Sequence, residues 1–218
     1  MKAMILAAGR GERMKPLTDM IPKPLLPVGG KPLIVHHIER LREAGFTQIV
    51  INLGHLGHLI KKTLGDGSRW GVELYYSDEQ DEGALESLGG IVKALDILGS
   101  EPFLVLNGDI FCDYAFNPDF QLKKSAHLIL VPNPPHNKKG DFGLEEDYIC
   151  NVAQNMFTFS GIGYYHPSIF NGIAAIKAPL APLLRELADK KELSGELFEG
   201  VWHDIGTPKR LKEINENF

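Results

Sequence analysis

Uninterrupted apolar runs alternate along this chain with stretches in which apolar residues recur every three or four positions, a change of period that predicts strands alternating with helices. Residues 3–8 form a continuous apolar run and read as a strand buried on both faces. Residues 33–44 then place Ile34, Ile38 and Leu41 on one helical face, with Gly45 as the stop. Residues 47–53 read as a second buried strand, 56–64 as a short helix ended by Gly65, and 72–77 as a third strand. In 88–98, Leu88, Ile91, Val92, Leu95 and Leu98 share one face of an amphipathic helix that Gly99 closes. Residues 103–106 form the next strand and run into Asn107-Gly108-Asp109. This β-α-β-α order predicts an α/β domain with a mostly parallel central sheet, helices on its faces, and ligands at the carboxyl ends of its strands.

The second half is less periodic. Residues 127–131 and 157–165 read as strands, and 132–139 (PNPPHNKK) as a turn-rich connection. Residues 141–146 and 148–154 have the spacing of a hairpin, 180–190 is helical, and 200–205 is a short strand. Thr207-Pro208 supplies an N-cap followed by proline at the first helical position. No internal repeat or long linker interrupts this order, so residues 1–218 are expected to form one domain with a β-rich insertion.

A chain of 218 residues with 44% hydrophobic and 23% charged residues has enough apolar material for one substantial core. Arg10, Glu12, Arg13 and Lys15 exclude a signal peptide or membrane span near the N-terminus. No later apolar run reaches the roughly 20 residues that a span requires, so a cytoplasmic protein without a membrane partner is expected. Cys112 and Cys150 make neither a disulfide framework nor a zinc spacing and read as reduced thiols. His36 and His37 on a predicted helix, and His55 and His58 around a loop, lack a third ligand at zinc spacing.

The net charge of −5 argues against general nucleic-acid binding, but its distribution is uneven. Residues 1–31 carry Lys2, Arg10, Arg13, Lys15, Lys23 and Lys31 against only Glu12 and Asp19, which points to a local anion site. The same segment contains Gly9-Arg10-Gly11 directly after the first strand, where backbone N–H groups can approach a phosphate closely. Neither common phosphate loop fits. Met14 stands where the dinucleotide fingerprint needs its third glycine, which disfavours a dinucleotide-dependent oxidoreductase, and the Gly-Lys-Ser/Thr of the Walker pattern is absent. Pro16 forbids a simple helix, so an extended phosphate-gripping loop is expected.

The run L-A-A-G-R-G-E-R-M-K-P-L-T at 6–18, P-K-P-L-L-P-V at 22–28, N-G-D at 107–109 and W-H-D-I-G-T-P at 202–208 together resemble the sugar-1-phosphate nucleotidyltransferases. The likeness spans almost the whole chain, with four separated motifs in order. Within the family, E-G-A-L-E-S-L-G-G at 82–90 and T-F-S-G-I-G-Y-Y-H-P at 158–167 are similar to the N-acetylmuramate-1-phosphate uridylyltransferases of peptidoglycan recycling. The fold implied is a Rossmann-like three-layer sandwich, the nucleotide-diphospho-sugar transferase fold. Residues 1–110 would be the nucleotide-binding part; 111–218 would supply the sugar-binding part and a second metal aspartate.

The resemblance implies that a sugar-phosphate oxygen attacks the α-phosphate of a nucleoside triphosphate and pyrophosphate leaves, so the protein must align two anions and stabilise the charge that develops. Arg13 is implied at the pyrophosphate end, where a guanidinium holds two oxygens at once. Lys23, stiffened by Pro22 and Pro24, is implied between α-phosphate and sugar phosphate, and Asp109 with Asp204 on one Mg2+. Leu6, Ala8, Gly9, Gly11, Glu79 and Gly83 are the implied nucleotide contacts, with the base contact open between Glu79 and Gln80. Asn107, Gly143, Thr158 and Gly161 are candidates for the sugar, and Lys138 and Lys139 for its lactyl carboxylate. Trp202 reads as core packing. UTP and N-acetylmuramate 1-phosphate are the expected substrates; mannose-1-phosphate guanylyltransferase and glucose-1-phosphate thymidylyltransferase remain alternatives. A non-catalytic nucleotide-sugar sensor would be expected to lack some of Arg13, Lys23, Asp109 and Asp204, all of which are present. No long C-terminal extension of the kind that builds acyltransferase or regulatory parts is seen, so a stand-alone enzyme, monomer or small homo-oligomer, is expected.

Overall fold

The apolar run at the start of the chain becomes β1 (Lys2–Leu6), whose Ala3, Met4 and Ile5 are fully buried. The computed structural model describes residues 1–79 and 83–218. After β1 come the small hairpin β2 (Pro27–Val28) and β3 (Lys31–Pro32), then α1 (Leu33–Glu43), β4 (Gln48–Leu53), α2 (Gly57–Leu64) and β5 (Glu73–Asp78). They are followed by α3 (Glu86–Leu98), β6 (Phe103–Asn107), β7 (Ile110–Cys112) and β8 (Ala126–Val131). The second half adds β9 (Phe142–Glu145), β10 (Tyr148–Cys150), β11 (Met156–Tyr165), α4 (Ala181–Asp189), β12 (Leu193–Leu197), β13 (Trp202–Asp204) and α5 (Pro208–Glu216).

Local sequence explains the helix ends. Gly45, at φ +102°, follows α1; its N–H donates to Arg42 O and that of Phe46 to Leu41 O, the pair of bonds of a Schellman motif. Thr207 caps α5 by accepting from Arg210 N, with Pro208 in the first turn.

Among the described residues nine strands form one sheet in the order β5-β4-β1-β6-β11-β8-β12-β10-β9. Its first four strands are parallel; β11 then pairs antiparallel with both β6 and β8, and β12 returns parallel to β8, so the whole sheet is mixed. Strand alternation divides the core into two layers. Ala3 and Ile5 face α1 and α2 through Ile34, Ile38, Leu41 and Ile60, whereas Met4 faces α3 and α4 through Leu88, Ile91 and Leu184. A third cluster joins Met14, Leu26 and Val28 to Ile205, Leu211 and Ile214, so α5 braces the glycine loop. No helix among the described residues is long and apolar enough to cross a membrane.

Three features depart from the sequence reading. Residues 10–25 are not one extended loop: Pro16 and Pro22 introduce the second and third of three short 3-10 turns, Glu12–Met14, Leu17–Asp19 and Lys23–Leu25. Residues 110–112, to which the sequence reading assigned no element, form β7 and pair with β13. The third is β12, a strand whose Ser194, Gly195 and Glu196 carry no apolar signal. The hairpin is present as β9 and β10, and both cysteines are free thiols.

Candidate active site

Two cavities meet at the carboxyl ends of β1 and β6. The larger, about 450 Å3, is lined by the glycine loop, Lys23, Asn52, Asn107, Asp109 and Gly206. The smaller, about 280 Å3, lies among β9, β11 and the start of α4, and shares Leu6, Ser87 and Asn107 with the first. Asn107 therefore stands between them. Gly161, at φ +82°, leaves room for it: a Cβ there would lie 2.5 Å from Asn107 Nδ2.

Leu6, Ala8, Gly9, Gly11, Arg13, Lys23, Asn107 and Asp109 all line the larger cavity, and Gly161 the smaller. Arg13 is exposed, and among the described residues its guanidinium has no hydrogen bond or ion pair; Met14 beside it is fully buried and anchors the turn. Arg10 and Lys15 are engaged within the loop itself. Arg10 pairs with Glu12 at 2.8 Å and meets His55 Nδ1 at 2.7 Å, and Lys15 pairs with Glu12 at 2.6 Å. The Lys15 contact, followed by other nearby positive charge, holds the Glu12 carboxyl below its usual range. Arg13 is thus the loop cation left for a ligand.

Lys23 is buried between its prolines and its Nζ donates to Asp109 Oδ2 at 2.6 Å. Asp109 and Asp204 approach because Ile205 N donates to Asp109 O at 2.8 Å and Asp204 pairs with Ile110. Asp204 Oδ2 accepts from Arg210 Nη1 at 2.9 Å and lies 3.1 Å from His136 Nε2, while its Oδ1 is buried and has no partner among the described residues. An unsatisfied carboxylate oxygen is unfavourable unless a donor or cation reaches it. Among the described residues no cluster of three or more His, Cys, Asp or Glu is arranged for a metal, so an ion here would complete its shell with substrate oxygens and water. Two carboxylates, one with a free buried oxygen, fit a hard divalent cation used that way.

Several expected contacts sit elsewhere. Glu79 is fully buried behind the cavity wall: Oε1 accepts from Asn52 Nδ2 at 2.7 Å and Oε2 from Leu85 N at 2.8 Å, while Asn52 Oδ1 accepts from Ala7 N at 2.6 Å. It fastens residues 84–85 to the end of β1. Gly83, Gly143 and Thr158 line neither cavity, and Thr158 instead hydrogen-bonds Asn133 and Asn137 of the 132–139 connection. Lys138 and Lys139 are exposed away from both. Gln80 lies outside the described residues, as does Glu82 at the start of the 82–90 run. Trp202 packs against the core and donates to Ser160 O at 3.0 Å. His36 reaches Val28 O at 2.9 Å, and His55 reaches Thr18 O at 2.9 Å.

Residues 2–147 match the nucleotidyl transferase family. An N-acetylmuramate alpha-1-phosphate uridylyltransferase from Neisseria meningitidis serogroup B is 53% identical, over 98% of this chain and 96% of that one. The chain belongs to the nucleotidyl transferase family. As a member it is an enzyme of the sugar-1-phosphate nucleotidyltransferase class. A mannose-1-phosphate guanylyltransferase catalytic subunit beta from Drosophila pseudoobscura pseudoobscura is 31% identical over 95% of this chain, which spans 60% of that longer protein. The fold is shared with the crystal structure of a putative glucose-1-phosphate thymidylyltransferase from Bacillus anthracis, at a TM-score of 0.86 and 24% identity, covering 100% of this chain and 94% of that one.

Sequence reading of this nucleotidyl transferase missed Arg210, His136, Glu86 and Lys177. Arg210 was within reach, because it follows the capping Thr207 in the first turn of a helix that begins beside Asp204. His136 sits in a proline-rich connection whose path the sequence leaves open. Glu86 lines the larger cavity at φ +60°, a conformation uncommon for a residue with a side chain, and lies 3.9 Å from Lys177. That pair depends on residues 173–180 folding back over α3, where Leu88 N and Gly89 N donate to Ala178 O.

Proposed function

We propose that this enzyme transfers the uridylyl group of UTP to N-acetylmuramate 1-phosphate, giving UDP-N-acetylmuramate and pyrophosphate. The observation that carries this reading is the 53% identity to the Neisseria uridylyltransferase over nearly the whole of both chains. The larger cavity would take the nucleotide and the smaller one the sugar, with the two phosphates meeting near Asn107 and Lys23. A sugar-phosphate oxygen forms a bond to the α-phosphorus as the bond to the β-phosphate oxygen breaks, and the electron pair leaves with pyrophosphate.

Lys23 holds positive charge where the two anions converge, offsetting their repulsion. Arg13, with an uncommitted planar fork, binds the departing pyrophosphate oxygens. Gly9 and Gly11 offer backbone N–H groups unobstructed by side chains of their own, and the buried Asn52–Glu79 pair keeps the end of β1 and residues 84–85 in register. Asp109 and Asp204 would hold Mg2+, which supplies charge neutralisation and Lewis acidity to the phosphate oxygens. Residues 1–218 would act as one domain of a cytoplasmic enzyme, a monomer or small homo-oligomer, that returns recycled cell-wall sugar to nucleotide-linked form.

Pyrophosphate release across a panel of nucleoside triphosphates and sugar 1-phosphates tests it. The expected result is the highest kcat/KM with UTP and N-acetylmuramate 1-phosphate. Higher values for GTP with mannose 1-phosphate, or for dTTP with glucose 1-phosphate, would overturn the substrate assignment and leave the family intact.

A further inference from the structure

The smaller cavity is apolar over most of its wall, where Val105, Phe142, Phe159, Tyr165, Leu180 and Leu184 converge. Among the described residues two charged side chains line it, Asp141 and Arg185. Asp141 is committed to the fold: its Oδ2 accepts from Phe159 N at 2.9 Å and from Asn137 Nδ2 at 3.1 Å. Arg185 is not. Its guanidinium carbon lies 5.0 Å from the centre of the Phe142 ring, and only Nη1 makes hydrogen bonds, both long, to Asp141 O and Asn151 Oδ1 at 3.3 Å. Among the described residues Nε and Nη2 donate to nothing, and no carboxylate pairs with the guanidinium.

A guanidinium resting on an aromatic face keeps its orientation and can offer a carboxylate two parallel N–H groups. The acceptor sugar assigned above differs from N-acetylglucosamine 1-phosphate by an ether-linked lactyl group, which is a methyl group and a carboxylate on one carbon. An apolar wall beside an unpaired cation complements that pair of features. A neutral sugar would leave Arg185 without a counter-ion. Lys138 and Lys139 line neither cavity, and among the described residues Arg185 is the only basic side chain on the wall of the smaller one.

We propose that Arg185 binds the lactyl carboxylate and makes the smaller cavity selective for an acidic sugar 1-phosphate over its neutral counterpart. The proposal rests on the uridylyltransferase reading, and its test separates the two. With UTP saturating, kcat/KM is measured for N-acetylmuramate 1-phosphate and N-acetylglucosamine 1-phosphate in wild type, Arg185→Gln and Arg185→Lys. The expected result is a wild-type preference for the muramate substrate, a fall of that preference by about tenfold or more in Arg185→Gln through KM, and partial recovery in Arg185→Lys. A second measurement leaves the protein untouched: wild type should use N-acetylmuramate 1-phosphate with its carboxyl amidated about as poorly as Arg185→Gln uses the parent compound. Preference retained in Arg185→Gln, or full use of the amidated sugar by wild type, overturns the role of Arg185 and leaves the uridylyltransferase reading standing. A wild type that prefers the neutral sugar overturns both.

Discussion

Asp204 illustrates how much a single side chain depends on its neighbours here. One oxygen is fixed by Arg210 and His136, and the other is buried and bare. Replacing either carboxylate of the Asp109–Asp204 pair with an amide removes one anionic oxygen from the same position. Asp109→Asn and Asp204→Asn are each expected to lower kcat by about a hundredfold or more, and the double variant should be little worse than the poorer single. Pyrophosphate release with circular dichroism as a folding control measures this; effects that multiply in the double variant would show that the two do not serve one ion. Arg210 acts one step removed, holding Asp204 rather than substrate. Arg210→Ala is expected to raise the Mg2+ concentration for half-maximal activity about tenfold or more, with Arg210→Lys intermediate. Mn2+ binding followed by electron paramagnetic resonance supplies a readout independent of turnover, and unchanged affinity in Arg210→Ala would remove the positioning role.

At the scale of elements, the longer strands and helices of the first half were legible because each has one strong period and one clear stop. The buried β1, the amphipathic α1 and α3, and Gly45, Gly65 and Gly99 at helix ends all lie where apolar spacing and glycine placed them. β12 was not legible, since between Leu193 and Leu197 lie Ser194 and Gly195, buried by neighbouring strands rather than by their own hydrophobicity, and the exposed Glu196. The same limit hid the burial of Glu79, read from the sequence as a nucleotide contact, and the free guanidinium of Arg185. A buried carboxylate and an unpaired guanidinium differ from surface charges only in what packs around them, and the sequence does not record that. The contact of α3 with the returning segment 173–180 is a further case. A Cβ on Gly89 would lie 2.2 Å from Ile176 O and 2.9 Å from Leu85 Cβ, so backbone must move to admit it. Gly89→Ala is therefore expected to destabilise the protein by roughly 1–3 kcal/mol despite the better helix propensity of alanine, and to raise KM for both substrates as Lys177 and Leu180 shift. Urea unfolding and initial-rate kinetics check this, and a stabilised variant with unaltered KM would contradict it.

For the whole molecule, burial of titratable groups sets the pH range over which the fold is stable. His37 in α1 is buried, its Nε2 has no partner among the described residues, and desolvation, reinforced by His36, pushes its pKa down to about 4. At the alkaline end, burial raises the pKa of Tyr165, which is almost fully enclosed. For His37 the folded pKa lies below the unfolded value of 6.5, so between these values the unfolded chain binds a proton that the folded chain does not, and stability falls as pH falls. For Tyr165 the folded pKa lies above the unfolded value of 10.0, so stability falls as pH rises beyond that point. A plateau between these limits follows. Linkage through His37 alone amounts to about 2 kcal/mol by pH 5 and on the order of 3 kcal/mol once pH drops below 4. Carboxylates such as Glu196, held down by His127 and Tyr114, add their own acid dependence, so the His37 share is isolated by difference. His37→Leu, which keeps an apolar side chain in the site, is expected to lose stability more slowly than wild type as pH is lowered from 7 to 4.5, whatever its stability at pH 7. Urea midpoints for both proteins at pH 7, 6, 5 and 4.5 give the two slopes; parallel slopes would mean that His37 takes up its proton without unfolding and that the acid limit belongs to the carboxylates.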